Sequence, residues 1–262
     1  MHFVMKKEQI AKYVLARRRN KLRNASCHGV VTNCETRFDT EKEQSALENR
    51  EERIMPKGSP ELTAARKEEI VNACEQLYQT MSFKDITLKE IGKVTSFTRT
   101  SIYNYFQTKE EIFLALFERE YDRWNEELQE VSKTDETLTK KEVAERIAQT
   151  IANRQQLLKL LAMNNYDMEA NSRPERLVSF KRAYGESMKN VSSILKKFCP
   201  DMSAQDIRDV VYVFFPFMFG IYPYTSVTDK QRQAMEQANV DYVYKSILEI
   251  TTNCLMQLLE SK

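Results

Sequence analysis

Three helix starts crowd into the stretch from Lys84 to Phe113, KDITLKEIGKVTSFTRTSIYNYFQTKEEIF, and no other segment limits the fold so sharply. Thr87 and Glu90 stand at the spacing of a capping box, in which a hydroxyl and a carboxylate reciprocally satisfy two open backbone amides. The helix they start is short. Leu88, Ile91 and Val94 give it one apolar stripe, and Thr95, Ser96 and Phe97 break the pattern with turn-forming residues. Thr98 then caps a second short helix, expected over Arg99 to Phe106, with Ile102, Tyr103 and Phe106 inward and Arg99, Thr100, Ser101, Asn104 and Tyr105 outward. Thr108 and Glu111 repeat the capping-box spacing and open a long helix. Two short helices on a tight turn bury too little to stand alone, so each flank must supply a scaffold helix.

The outward residues suit DNA. An arginine fork reads guanine, small hydroxyls reach base edges or phosphates, and tyrosines reach the duplex backbone. Between Lys84 and Lys109 the cations Lys84, Lys89, Lys93, Arg99 and Lys109 outnumber Asp85 and Glu90, whereas the whole chain carries a formal net charge of only +2. The positive charge is local, as a nucleic-acid footprint is.

From about Thr63 to Leu116 the chain resembles the DNA-binding domain of the TetR family of bacterial transcriptional regulators, most specifically in IYNYFQTKEEIF. Two departures stand out. Thr95 and Ser96 occupy a turn where the family usually has alanine and glycine, so Ser96 is strained if that place needs a positive φ. Tyr105 takes a place often held by histidine. The resemblance implies base-edge contacts from Arg99, Thr100, Ser101 and Asn104. It implies phosphate contacts from Thr87, Thr98, Tyr103, Tyr105 and Lys109, helped by the amides of the helix that follows. It also implies a homodimer joined through its last two helices, reading double-stranded DNA at a near-palindromic operator, most often as a repressor. An effector would then act by shifting the helix from Lys109 to Val131.

The remainder of the chain reads as helical. Five glycines and six prolines in 262 residues favour long helices over hairpins. Glu61 to Thr80 forms the first scaffold helix, with Ile70, Ala73, Cys74 and Leu77 on one face. Arg66 and Lys67, near its start, are as well explained by a solvated face as by contact with DNA. The helix from Lys109 carries Phe113, Leu116, Phe117, Tyr121, Trp124, Leu128 and Val131. Further helices follow on Val143, Ile147 and Ile151; on Leu157, Leu158 and Leu161; from Pro174 through Leu195; from Ser203 to Tyr222; and from Asn239 to Leu259. The fold class is all-α: a three-helix helix-turn-helix domain over 61–108, and a larger effector-binding and dimerisation domain over 109–262.

Residues 1–60 differ in composition, with a basic cluster at Arg17, Arg18, Arg19, Lys21 and Arg23 followed by a polar, charged run. Two readings stand: a disordered or extraneous leader ahead of Met55, or a basic arm that adds phosphate contacts. Cys27, His28 and Cys34 lack the paired spacing of a structural zinc site, so no metal is expected. Five cysteines without a secretion signal fit reduced thiols in the cytoplasm. VVYVFFPFMFGIYPY is too short and too interrupted by Pro216 and Gly220 for a membrane span, and Pro216 should kink its helix.

Aromatic and methionine side chains line adaptable sites well, which makes Met163, Tyr166, Phe180, Tyr184, Phe215, Met218 and Tyr222 the candidates for an apolar or aromatic small-molecule effector. A rival reading has the C-terminal domain binding a protein partner, with no such pocket. No cofactor is implied. No phosphate loop or nucleophile with a base partner marks an enzyme.

Overall fold

A computed structural model describes residues 59–163 and 165–261, and among these every regular element is a helix. They are α1 (Pro60–Thr80), α2 (Leu88–Lys93), α3 (Arg99–Ile102), α4 (Lys109–Lys133), α5 (Lys140–Ala152), α6 (Gln155–Leu161), α7 (Asn165–Ala170), α8 (Pro174–Phe198), α9 (Ala204–Thr225), α10 (Asp229–Gln237) and α11 (Ile247–Glu260). The expectations for the N-terminal extension, including Cys27, His28 and Cys34, lie outside the described residues.

Side-chain caps start most of these helices. Ser59, Thr87, Thr98, Thr108, Thr139, Ser203, Thr228 and Ser246 each accept from an amide in the first turn. The two capping boxes expected at Thr87 and Thr108 form only by half. Glu90 turns to Lys93 at 3.0 Å, and Glu111 turns to Gln107 N and Arg173. Complete boxes occur instead at Thr139 with Glu142, Ser203 with Asp206, and Ser246 with Glu249.

α4 is the spine. Its apolar stripe from Phe113 to Leu128 is buried against α1 on one side and α8 on the other. Phe117, Tyr121 and Trp124 meet Phe180 and Tyr184 of α8 and Phe215 of α9 in a continuous set of ring contacts with centroids 4.9–6.3 Å apart. Such offset and edge-on pairs add to the burial of large apolar surfaces. α5 packs on α11, and α9 bridges α8, α6 and α11. α1 is tied to α4 by Arg119, which reaches Glu68 at 2.6 Å and Glu75 at 2.8 Å, and by Tyr78 packed edge-on against Phe113. Burial holds the Cys74 thiol far above its usual range, in keeping with a core role.

Two elements beyond α4 differ from expectation. α7 was not anticipated. The last helix begins at Ile247 rather than Asn239, because Asn239 closes α10: it takes φ 52°, its amide bonds Glu236 O, and the Val240 amide bonds Met235 O at 3.0 Å. This is a Schellman closure, with asparagine tolerating the left-handed position. Val240, Val243 and Tyr244 therefore lie on a non-helical segment and not on a helical face. α9 runs through both Pro216 and Pro223, each of which removes one helical hydrogen bond. Among the described residues no single helix is long and apolar enough to cross a membrane.

Candidate nucleic-acid interface

The turn between α2 and α3 is built without a left-handed residue. Among the described residues only Asn239 has positive φ outside glycine, so Ser96 is unstrained. Thr95 Oγ1 donates to Ile91 O at 3.1 Å and accepts from Phe97 N, while Ser96 N donates to Glu69 Oε1 of α1 at 2.8 Å. The Ser96 amide, and after it the Ser96 side chain, hold the Glu69 carboxyl below the usual range. Side chains thus satisfy the polar backbone that a glycine turn would handle by conformation. Space is tight one turn earlier: a Cβ on Gly92 would stand 3.3 Å from Phe97 O and 3.4 Å from Arg99 N, so a larger residue there presses on the turn.

α3 is shorter than the expected helix to Phe106. Beyond Ile102 the chain continues in tight turns, with Asn104 N on Ser101 O and Tyr105 N on Ile102 O, both three residues back. Helical spacing places Tyr105 with Ile102 and Phe106, at i, i+3 and i+4, and places Tyr103 with Arg99. Tyr103, expected inward, is 40% exposed, and Tyr105, expected outward, is 4% exposed. The ring of Tyr105 packs edge-on against Phe97, and its hydroxyl accepts from Arg66 Nη1 at 3.0 Å. Tyr105 is therefore nearly buried, with its hydroxyl accepting from Arg66 and keeping one proton to donate.

Most of the other candidates are exposed. Thr98, Arg99, Thr100, Tyr103 and Asn104 are exposed and Ser101 is half-buried, with Thr87 exposed at the start of α2. Arg99 Nη2 donates to the Tyr103 hydroxyl at 3.2 Å, one helical turn on, so the fork is oriented along the surface. The hydroxyls of Thr98 and Ser101 lie 3.0 Å apart. Lys109 is half-buried, with Nζ donating to Phe83 O at 2.8 Å and lying over the Phe83 ring. Such a surface, with guanidinium, amide and hydroxyl donors above an ordered apolar base, offers both base-edge and phosphate contacts.

Behind this face lies a polar seam that sequence reasoning missed. Glu111, fully buried, accepts from Gln107 N at 2.9 Å and from Arg173 N, Nε and Nη2 at 3.1, 2.7 and 2.9 Å. Arg173 Nη2 and Arg176 Nη2 also reach Tyr105 O at 3.5 and 3.2 Å. The available signal was an anomaly: two arginines at the start of a helix oppose its dipole, and so need partners elsewhere. Burial alone would raise the Glu111 carboxyl. The Arg173 hydrogen bonds, the two amides and the Arg173 charge outweigh it and hold the group below its ordinary value. A depressed carboxylate adds stability that is present above the unfolded pKa and is lost as pH falls through the folded one. Wild-type protein is therefore expected to lose more stability between pH 5 and pH 3 than Glu111→Gln, measured by urea unfolding at each pH. Equal losses would mean that Glu111 is not held ionised.

The effector candidates separate into three places. Phe180, Tyr184 and Phe215 belong to the ring set on α4, and Met218 is buried on the same helix as Phe215. Met163 and Tyr222 flank Tyr78 instead: the Tyr78 hydroxyl is 2.9 Å from Met163 Sδ, and Tyr222 adds to the raised pKa of Tyr78 behind burial itself. Tyr166 is 85% exposed and joins neither group, because the short α7 carries it outward. Among the described residues no cluster of three metal-ligating side chains occurs.

Residues 70–116 match the family model described as bacterial regulatory proteins, tetR family, and residues 118–260 match that of the tetracyclin repressor-like C-terminal domain. No curated protein matches the chain in sequence. Solved structures with a similar fold include FadR of Thermus thermophilus, a transcriptional repressor in complex with lauroyl-CoA. It is 19% identical, with TM-score 0.50, over 74% of this chain and 93% of that one. FadR of Bacillus subtilis, in complex with stearoyl-CoA, is 16% identical with TM-score 0.49, over 74% of this chain and 98% of the other. At 19% identity the likeness to the Thermus protein is one of fold.

Proposed function

The chain belongs to the TetR family of bacterial regulatory proteins, and from that premise we propose that it is a sequence-specific, ligand-responsive transcriptional repressor, acting in the cytoplasm as a homodimer on a near-palindromic operator. The observation that carries this reading is the exposed face of Thr98, Arg99, Thr100, Tyr103 and Asn104 on a fully capped and packed base. Residues 61–108 serve as the DNA-binding domain and 109–262 as the effector-binding and dimerisation domain. Arg99, Thr100, Ser101 and Asn104 contact base edges, while Thr87, Thr98, Tyr103 and Lys109 hold phosphates.

A stripe on α9 supports the dimer. Tyr212, Pro216, Phe219 and Pro223 recur at helical spacing and are all exposed, and Leu248 is exposed on α11, a helix that packs on α9. Pairing this surface with its copy removes it from water. The effector is an apolar or aromatic molecule that repacks Phe180, Tyr184, Phe215 and Met218. Because the same rings rest on Phe117 and Tyr121, it shifts α4 and the segment ahead of it. It must bind the two arrangements with different affinity. Acyl-CoA is the first probe to try.

The test is binding of the purified protein to DNA flanking its own gene, against a scrambled fragment, at two salt concentrations and with lauroyl-CoA added. Selective binding of two protomers per site, a steep salt dependence and release by the acyl-CoA are expected. Selective binding that lauroyl-CoA leaves unchanged would turn the search towards another effector or a protein partner. Equal binding to both fragments in a screen of genomic DNA would sink the regulator reading.

A further inference from the structure

The loop before α8 and the first turn of that helix hold the hinge between the recognition segment and α4 at several points. Thr108 Oγ1 donates to Asn171 O at 3.0 Å. Arg173 makes three bonds to Glu111, which in turn holds the amide of Gln107. Arg176 donates to Tyr105 O, and its guanidinium lies 5.0 Å from the centre of the Phe106 ring. Tyr105 is thereby fixed at both ends, by Arg66 at its hydroxyl and by Arg173 and Arg176 at its carbonyl.

We propose, resting on the regulator reading, that Arg173 and Arg176 are positioning residues: they set the end of the recognition segment from α8, Arg176 directly at Tyr105 O and Arg173 chiefly through Glu111 in the first turn of α4. The lever is short. Phe180 lies one turn beyond Arg176, about 6 Å along the helix at 1.5 Å per residue, and already belongs to the aromatic centre. An effector that displaces Phe180 therefore moves the guanidiniums that hold Tyr105 O.

The grip is also poised to let go. Both arginines sit against the positive end of the α8 dipole, and the helix has no side-chain cap. Lys67 adds a third cation: burial and the charges of Arg176 and Arg173 together lower its pKa. Glu118 and Glu175 offset part of this charge around Arg176. The contacts to Tyr105 O and Glu111 hold the cations in place, so removing either contact favours opening.

Hydrogen exchange of the full chain, read by mass spectrometry, tests the latch without DNA. In Arg173→Ala the peptide spanning Asn104 to Glu111 should exchange about tenfold faster, with α5 and α11 unchanged. Arg173→Lys should not rescue it, since an ammonium cannot reproduce the fork. Arg176→Ala should speed the same peptide less. In the DNA assay Arg173→Ala should weaken specific binding roughly tenfold and leave nonspecific binding alone. Unchanged hinge exchange, a uniform rise along the chain, rescue by lysine, or a loosened hinge with unaltered operator affinity would each overturn the proposal. Failure of the wild-type chain to select any DNA would strike the regulator reading instead, and the exchange result would still decide whether the grip exists.

Discussion

Arg99→Ala is expected to weaken binding to the specific operator by about 1–3 kcal/mol, roughly 5- to 150-fold, with thermal stability and helix content nearly unchanged. The asymmetry follows from where Arg99 sits. In the free protein its contacts are a 3.2 Å bond to the Tyr103 hydroxyl and an approach to that ring at 5.8 Å, both on an exposed surface. An exposed pair one turn apart contributes only a few tenths of a kcal/mol to folding. A guanidinium that reads a base, by contrast, leaves that base unpaired when it is removed. Anisotropy titrations against the operator and a scrambled duplex, beside circular dichroism melts, separate the two effects. A variant that melts early would make Arg99 structural, and one that binds the operator as well as wild type would remove it from the base-reading set. Tyr103→Phe serves as a comparison, since it loses only the hydroxyl partner.

Trp124→Ala should be the more damaging change to the fold, by about 3–5 kcal/mol. The side chain is fully buried at the middle of α4, against Tyr121 and Phe215, and Nε1 donates to Thr150 Oγ1 of α5 at 2.8 Å. Removing the indole opens a cavity and takes away the Thr150 donor together. Trp124→Phe keeps most of the packing, so a much smaller loss is expected. It leaves Thr150 still donating to Ile147 O at 2.7 Å, so the hydroxyl is not stranded. Urea unfolding monitored at 222 nm measures both. A loss below about 1 kcal/mol for Trp124→Ala would mean that the aromatic centre collapses freely around the gap, contrary to its dense ring contacts.

Helix positions were legible because caps and periodic apolar residues are local. Ser203 announces its helix within four residues, and the stripe of α4 can be counted along the sequence. What the sequence concealed depended on backbone detail or distance. The exchange of roles between Tyr103 and Tyr105, by contrast, was legible: Ile102, Tyr105 and Phe106 stand at i, i+3 and i+4 on one helical face, whereas Tyr103 falls four after the exposed Arg99, so the expected inward stripe is one residue out of register. The start of α11 was misplaced because Asn239 reads equally as a helix residue or as a left-handed closure. The pairing of Glu111 with Arg173 joins positions 62 apart and has no local pattern. Tyr166 shows the weakness of naming a pocket from residue type alone, since aromatic character does not say which way a short helix faces.

The carboxylate of Glu69 on the amide of Ser96 has a practical consequence for anyone who would re-target such a protein. A recognition segment is usually imagined as a cassette, exchanged between scaffolds by swapping the turn and the helix after it. Here the turn draws one of its hydrogen bonds from α1, and the Tyr105 carbonyl near the segment's end is held from α8. A graft of residues 95–106 alone would arrive with its first turn unsatisfied and its end adrift, so Glu69, Arg173 and Arg176 have to travel with it.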